Sequence, residues 1–207
     1  MPNYLFGYLN NLPIGDQDQT LPNTQLPEPA NVLHFWFDEL DPKQHFSKNA
    51  DLDRQIVERF GALHAMLAAD EAAADSQWRT STDGRVANVI VLDQFSRQIY
   101  RDDARAWAYD AGALHLAKEL IADGTNTTLS VAQRRFVYMP FMHSENLSDQ
   151  ERSVELFTAL GDKSNLRFAI AHRDVIARFG RFPYRNELLG RISTPEEIYY
   201  VEQHGSF

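Results

Sequence analysis

The amino-acid sequence predicts an all-α fold of about eight helices, and three observations support this class. Apolar residues recur at helical spacing, most clearly at Leu52, Ile56, Phe60, Leu63 and Leu67, which lie at i, i+4, i+8, i+11 and i+15. Residues that favour helix ends stand beside most of these segments. No segment shows a convincing strand pattern of alternating polar and apolar residues.

Each predicted helix begins at a side chain that can cap it, at a proline that suits a first helical turn, or at the first apolar residue after a polar loop. In chain order, the predicted helices are residues 29–40, a helix from Asn49 through Leu67, one from Val86 toward Tyr100, residues 104–122, and helices that open at Ser130, Ser148, Ser164 and Thr194. Short connections join them, so we expect antiparallel helical hairpins in either a bundle or a short solenoid.

Several boundaries rest on specific local signals. The polar loop after the second helix is expected to close with Thr82-Asp83-Gly84. Pro140 is expected to kink or stop the helix that contains it. Ser148 and Glu151 match a capping box. Gly180 is expected to end a helix, because glycine adopts the left-handed conformation at no steric cost.

The chain is predicted to hold one domain. Residues 1–28 are rich in proline, asparagine, aspartate and glutamine, and they predict an extended N-terminal tail. Residues 29–207 then form a single all-helical domain, which is within the usual size of one compact unit.

Composition excludes several classes of function. The formal net charge of −9 argues against a general nucleic-acid binder, which needs a basic surface. The chain has no cysteine, so disulfides, thiolate nucleophiles and cysteine-ligated metals are excluded. No secretory signal and no membrane-spanning apolar run is visible, so we expect a cytoplasmic protein with no membrane partner. The oligomeric state is not predicted.

The turn that follows the helix ending at Gly180 is unusually rich in arginine and contains Arg181 and Arg185. Two further arginines, Arg97 and Arg101, lie at the end of an earlier predicted helix. Each of the four can bind a carboxylate or phosphate through two parallel hydrogen bonds. The candidate ligand-binding residues are Asp93, Arg97, Arg101, Arg181, Arg185 and Asn186. The alternative is that these arginines form internal ion pairs with Asp93, Asp102, Asp103, Asp110 or Glu187.

Two histidines and a carboxylate are the candidate catalytic residues. His143 and Glu145 lie on a predicted loop and can perform acid–base chemistry, with His172 as a second candidate. Together with Asp93 they can also supply nitrogen and oxygen ligands for a metal, but their spacing matches no metal motif, so we predict no metal and no cofactor. A histidine on a mostly apolar helix face, such as His172, is commonly a structural core residue.

Four segments of the sequence resemble one bacterial protein family. They are residues 92–101 (LDQFSRQIYR), 138–145 (YMPFMHSE), 178–186 (RFGRFPYRN) and 193–197 (STPEE). In this order they resemble domain of unknown function family 924, over about residues 31–207. The resemblance implies a tetratricopeptide-like helical fold, a right-handed superhelix of hairpins, and no established activity. Two positions depart from the family pattern: Ser96 stands where proline is usual, and Tyr184 where histidine is frequent.

Three hypotheses for the function follow. In the first, a groove lined by the arginines, Asn186 and His172 binds an anionic small molecule or a peptide carboxylate. In the second, the protein is an enzyme on a small anionic substrate, in which His143 or His172 is the acid or base and Glu145 or Asp93 orients it. In the third, the charged motifs are structural ion pairs between helix ends. Binding is the first choice and the enzyme is the alternative.

Overall fold

A computed structural model describes residues 25–69 and 76–205, so most of the predicted tail lies outside the described residues. Ten α-helices are assigned in the described part of the chain, joined by π-helical and 3-10 turns. They are α1 (Pro29–His34), α2 (Ala50–Ala68), α3 (Gln77–Thr80), α4 (Thr82–Ile90), α5 (Ser96–Ile99), α6 (Asp110–Ala122), α7 (Val131–His143), α8 (Leu147–Leu160), α9 (Lys163–Phe179) and α10 (Pro195–His204). A π-helical turn, Phe35–Glu39, extends α1, and a second, Val91–Phe95, joins α4 to α5 without a break.

Helix α4 is at the centre of the fold. It packs against α1, α3, α6 and α7, while α2 packs against α5 and the π-helical turn before it. Helices α7, α8 and α9 pack as consecutive neighbours, joined by short connections. The C-terminal α10 packs mainly against the 3-10 turn Pro183–Arg185.

The main core is built around an aromatic cluster. Phe35 and Trp36 of the first π-helical turn are fully buried. The ring of Phe35 lies 5.1 Å from that of Phe60 in α2, and Trp36 lies 5.5 Å from Phe95 and 5.4 Å from Phe136. Aromatic side chains bury the largest areas, so this cluster joins the two π-helical turns to α2 and α7.

The structure confirms the all-α class, with no strand in residues 25–69 and 76–205. The finer expectation of a tetratricopeptide-like superhelix stays a prediction. Among the helices in the described ranges, none is both long enough and apolar enough to cross a lipid bilayer.

Local capping signals in the sequence are confirmed at several helix ends. The side chain of Asn49 accepts hydrogen bonds from backbone N–H groups in the first turn of α2. Ser130 and Thr194 each form the reciprocal capping box that opens α7 and α10. Gly161 and Gly180 end α8 and α9 with φ of 74° and 69°, in the left-handed region that favours glycine.

Two boundaries in the first half differ from the prediction. Ser81 caps α4 by accepting a hydrogen bond from the backbone of Gly84, so Thr82-Asp83-Gly84 forms a first helical turn and does not close a loop. The predicted helix over residues 104–122 is divided into a 3-10 turn, Ala104–Trp107, and α6. The positive φ of 60° at Asp102 precedes this turn.

Two boundaries in the second half also differ. Pro140, which was expected to kink or stop its helix, does not end α7, which continues to His143. Helix α8 is capped by Asn146 and not by Ser148, because the Asn146 side chain reaches the backbone N–H of Ser148 at 2.9 Å. Asp162 caps α9 in the same way, two residues before the predicted start at Ser164. Asparagine and aspartate cap helices as well as serine does, so the sequence offered two competing caps.

We predict opposite effects of alanine at two helical glycines. A methyl group at Gly84 would lie 1.8 Å from the carbonyl oxygen of Gln77, whereas the nearest atom to one at Gly61 is 4.0 Å away. We expect Gly84→Ala to lower the free energy of unfolding by roughly 2 kcal/mol or more. We expect Gly61→Ala to raise it by about 0.5–1 kcal/mol, because glycine weakens a helix interior. Urea unfolding of both variants measures this, and a Gly84→Ala protein as stable as the wild type would contradict the close packing.

Candidate functional site

A buried carboxylate lies at the centre of the candidate site. The π-helical turn Val91–Phe95 carries Asp93, whose side chain is fully buried, and Gln94, which is also buried. Such turns are rare, and they often mark functional positions because the extra residue redirects side chains. The turn is surrounded by apolar residues of α4, so the protein holds a charged group in its interior.

Both oxygens of the Asp93 carboxylate accept hydrogen bonds. Oδ1 accepts from Nδ1 of His143 at 2.7 Å, and Oδ2 accepts from Nε2 of Gln94 at 2.5 Å. Nη1 of Arg97 lies 3.5 Å from Oδ1 and also donates to the backbone carbonyl of Asp93. We assign the proton to Nδ1 of His143 because an ionised carboxylate can only accept.

These partners keep Asp93 ionised. Burial alone raises the pKa of the Asp93 carboxyl, but the charges of His143 and Arg97 lower it by more. The hydrogen bonds from His143 and Gln94 lower it further, so the net pKa lies below the usual range of an aspartate. Asp93 therefore carries a full negative charge at neutral pH.

His143 presents its second ring nitrogen to a cavity. It is the last residue of α7, and 14% of its side chain is exposed. Since Nδ1 is bonded to Asp93, the atom left for chemistry is Nε2, which is an acceptor in the neutral ring. In the described ranges, Nε2 forms no hydrogen bond with the protein, and the side chain lines the cavity.

His172 lines the same cavity but is held in a different state. Its Nδ1 donates to the backbone carbonyl of Phe168 at 2.8 Å, and its ring centroid lies 6.4 Å from that of His143. Burial, followed by the nearby charges of His143 and Arg185, lowers the pKa of His172 to about 3. His172 is therefore neutral at neutral pH.

A second carboxylate joins two arginines next to the pair. Arg97 binds Asp110 through two hydrogen bonds, of 2.9 and 3.2 Å. Arg185 is buried, donates to Asp110 at 3.2 Å, and donates to the backbone carbonyl of His143 at 3.2 Å. Its guanidinium also lies 4.5 Å from the ring centre of Phe182, in a cation–π contact. This network holds the end of α7 in place from the C-terminal side.

The cavity has a volume of about 520 Å³, within the range of small-molecule sites. Its walls come from the loop before α2, the end of α5, the last turns of α7, one face of α9, and the segment after the 3-10 turn Pro183–Arg185. His143 and His172 supply polar atoms to the cavity wall, and Met139, Met142 and Trp107 supply apolar surface.

Four of the sequence-predicted residues line this cavity directly. They are Arg97, Arg101, His143 and His172, and Asp93 and Arg185 lie immediately behind them. The guanidinium of Arg101 binds Asp53 of α2 through two hydrogen bonds of 2.6 and 2.7 Å.

The other predicted residues lie outside the cavity lining. Arg181 forms two hydrogen bonds with Glu197, at 2.6 and 2.8 Å, and so joins the end of α9 to α10. The carboxylate of Glu145 accepts two hydrogen bonds from Arg191 and one from a backbone N–H. Asn186 is buried and donates to Ser193 at 3.0 Å. The geometry of these three residues matches the structural hypothesis, in which charged groups pair between helix ends.

The described residues contain no ready-made metal site. Within residues 25–69 and 76–205, no group of three or more histidine, aspartate and glutamate side chains is placed to hold one ion. Nδ1 of His143 and of His172 are both engaged in hydrogen bonds.

Sequence reasoning missed Gln94 as a partner of Asp93 and the apolar walls of the cavity. Gln94 immediately follows Asp93, and an ordinary helix would place the two side chains about 100° apart. The sequence signal for the burial of Asp93 and Gln94 was the mostly apolar run from Val86 to Phe95 that contains both residues. The structure buries this whole run.

The fold and the site together define an all-helical protein with a buried histidine–carboxylate pair facing a small-molecule cavity. The family model described as a bacterial protein of unknown function, DUF924, matches residues 32–205. The chain therefore belongs to the DUF924 family. It is also similar to a solved structure, a protein of unknown function, ATU0120, from Agrobacterium tumefaciens. The two are 36% identical with a TM-score of 0.79, and the match covers 84% of this chain and 97% of the other. No curated protein sequence matches the chain.

The two departures from the family pattern have clear structural positions. Ser96 is fully buried, where its hydroxyl donates to the backbone carbonyl of Leu92 and lies 2.8 Å from Nε2 of His64. Burial lowers the pKa of His64 to about 4, so this pair is neutral. Tyr184 lines the cavity, so a side chain at this position forms part of the cavity wall.

We predict a pH-dependent loss of stability on removal of the Asp93 charge. The folded pKa of Asp93 lies below its unfolded value of about 3.9, so its stabilising contribution is present above this pH and is lost as the pH falls below it. We expect Asp93→Asn to lower the free energy of unfolding by about 3–5 kcal/mol at pH 7, because the buried donors of His143, Gln94 and Arg97 then lose the charge that they surround. The difference from the wild type should shrink below about pH 4.

Urea unfolding at pH 7, 5 and 3 measures this. The exposed Asp174, which pairs with its neighbour Arg173, supplies the control. Asp174→Asn is expected to change the stability by about 0.5 kcal/mol or less at each pH. A stability difference for Asp93→Asn that is equally large at pH 3 and pH 7 would show that folding does not lower the pKa of Asp93.

Proposed function

We propose that this protein is an enzyme that binds a small anionic molecule in the cavity and uses His143 as its general acid–base. One observation carries the proposal: a buried carboxylate holds Nδ1 of His143 at 2.7 Å, while the other side of the ring faces a cavity of about 520 Å³. A merely structural histidine needs no buried counter-charge, because a backbone carbonyl suffices, as at His172.

The chemistry follows from the pairing. Asp93 fixes the imidazole in one tautomer, with the acceptor lone pair on Nε2. Nε2 can take a proton from the bound molecule or from a water beside it, and the imidazolium that forms is stabilised by Asp93. The same nitrogen can return the proton to a leaving or rearranged group. Arg97, which bonds Asp93 and lines the cavity, holds the carboxylate ionised throughout.

Charge around the cavity supports an anionic ligand. The chain has 29 acidic and 20 basic residues, yet Lys48, Arg97 and Arg101 line the cavity against the single carboxylate of Asp102. Hydrogen bonds to Asp93 and Asp110 use three of the five N–H groups of Arg97, so donors remain for a ligand oxygen.

The second candidate function is binding of an anionic molecule without turnover. The N–H groups of Arg97 that remain available to a ligand oxygen favour this candidate. A peptide carboxylate fits less well than a small molecule, because the cavity volume matches that of small-molecule sites. The absence of nucleic-acid and membrane partners and the cytoplasmic location stay predictions from composition.

We predict that turnover depends on His143. The protein is incubated in D₂O with a panel of small carboxylic acids, their esters and their amides, and ¹H NMR follows both hydrolysis and exchange of C–H protons for deuterium. Loss of an acid–base group commonly costs 10²–10⁴-fold in rate, so His143→Gln should lower kcat/KM for any turned-over compound by about that factor.

The matched control is His115, which is exposed on α6 and lies outside this cavity. His115→Gln should retain wild-type rates, and Arg181→Ala should as well if the fold is intact by circular dichroism. A compound that is turned over equally by wild type and His143→Gln contradicts the acid–base role. A panel that binds but shows neither hydrolysis nor exchange would favour the binding candidate.

A further inference from the structure

The mouth of the cavity exposes two phenylalanine side chains. Among the phenylalanines in residues 25–69 and 76–205, two are exposed: Phe46 at 61% and Phe168 at 52%. Both line the cavity, although they come from distant segments, the loop before α2 and α9. Leu188, 41% exposed, lines it from a third segment. Exposed apolar side chains that gather at one opening indicate a surface that a ligand covers.

The interior of the cavity continues this apolar surface. Met139 and Met142 of α7 are buried and line it together with the indole of Trp107. Methionine and tryptophan are adaptable, large contact surfaces for organic ligands. A molecule that contacts both these walls and the exposed rings must have an apolar body.

Charge at the cavity limits the polar part of the ligand. Arg97 and Arg101 are already paired with the carboxylates of Asp110 and Asp53. Lys48, two residues after Phe46, is exposed and has no ion-pair partner in the described part of the chain. The lining also contains the carboxylate of Asp102, so the positive charge offered to a ligand is small and matches a single negative charge, such as a carboxylate, better than a phosphate ester with nearly two.

We propose that the cavity binds an amphipathic monocarboxylate, with its apolar body against Phe46, Phe168 and the methionine wall and its carboxylate near Lys48. The proposal rests on the proposed function in that this molecule is the substrate, but its binding does not require turnover. The ligand class is set by the juxtaposition of the exposed rings and the exposed ammonium group of Lys48 in the lining of a single cavity.

A matched series of simple compounds tests this class. Isothermal titration calorimetry is performed on the full chain with octanoate, octylammonium, octanol and butyrate. Octanoate should bind at least tenfold more tightly than octylammonium, which has the same chain and the opposite charge. Butyrate should bind on the order of a hundredfold more weakly than octanoate, because each buried CH₂ contributes roughly a fourfold change, or about 0.8 kcal/mol.

Two pairs of variants locate the binding. Lys48→Glu should weaken octanoate binding about tenfold and strengthen octylammonium binding, whereas Lys43→Glu, an exposed lysine earlier in the same loop and outside the lining, should change neither. Phe168→Ala should weaken octanoate binding about tenfold and leave butyrate binding unchanged. Ile192→Ala, which truncates a side chain that is 91% exposed and outside the cavity, is its control.

The outcomes separate this inference from the proposed function. Three outcomes overturn the ligand class. Octanoate does not bind, it binds with the same affinity as octylammonium, or its affinity is unchanged in both Lys48→Glu and Phe168→Ala. If this happens while another compound is turned over in a His143-dependent way, the enzyme proposal stands without it. If octanoate binds as expected and no carboxylate or ester with an octyl chain is turned over, the ligand class stands and the enzyme proposal fails.

Discussion

The buried negative charge of Asp93 is the constraint on which the architecture of the site depends. Removing an ionised carboxylate from water costs several kcal/mol, and the cost is tolerated only when donors surround it. Gln94 and Arg97 come from the same helical segment, but His143 comes from α7, fifty residues later. Satisfying the charge therefore fixes how α7 lies against the segment from α4 to α5, and it places the last turn of α7 at the cavity.

The same charge connects the C-terminal segment to the core. Arg97 also donates to Asp110, and Asp110 accepts a second hydrogen bond from Arg185. Arg185 in turn donates to the backbone carbonyl of His143, the residue that bonds Asp93. Buried networks of this kind are seldom the most stable solution, since apolar side chains of equal volume are often at least as stabilising. A network that leaves one imidazole nitrogen facing a cavity is better explained by what that nitrogen does than by stability.

Sequence reasoning succeeded where the signal is local. The capping boxes at Ser130 and Thr194 are complete within four residues, so the pattern itself contains both partners. It was less successful where the partner is distant: Arg101 binds Asp53, 48 residues away, which was not among the acidic partners considered, and Asp110, which binds Arg185 from 75 residues away, was only one of five. The list of charged residues is visible in the sequence, but the packing that selects among acidic partners is not. The π-helical turns were also missed, because no simple residue pattern specifies where one extra residue enters a helix.

The two histidines at the cavity show how one environment produces two chemical states. His143 faces the ionised Asp93, so a proton on its ring is met by a negative charge at 2.7 Å. His172 faces a backbone carbonyl, is nearly buried, and lies close to His143 and Arg185, so its pKa is lowered to about 3. The ring centroids are 6.4 Å apart, so a charge on one ring opposes a charge on the other. His172 is neutral at physiological pH, whereas the ring of His143 has an ionised carboxylate as its partner. Under the proposed function this difference divides the roles: the ring that Asp93 orients transfers the proton, and the neutral His172 lies beside it in the cavity wall.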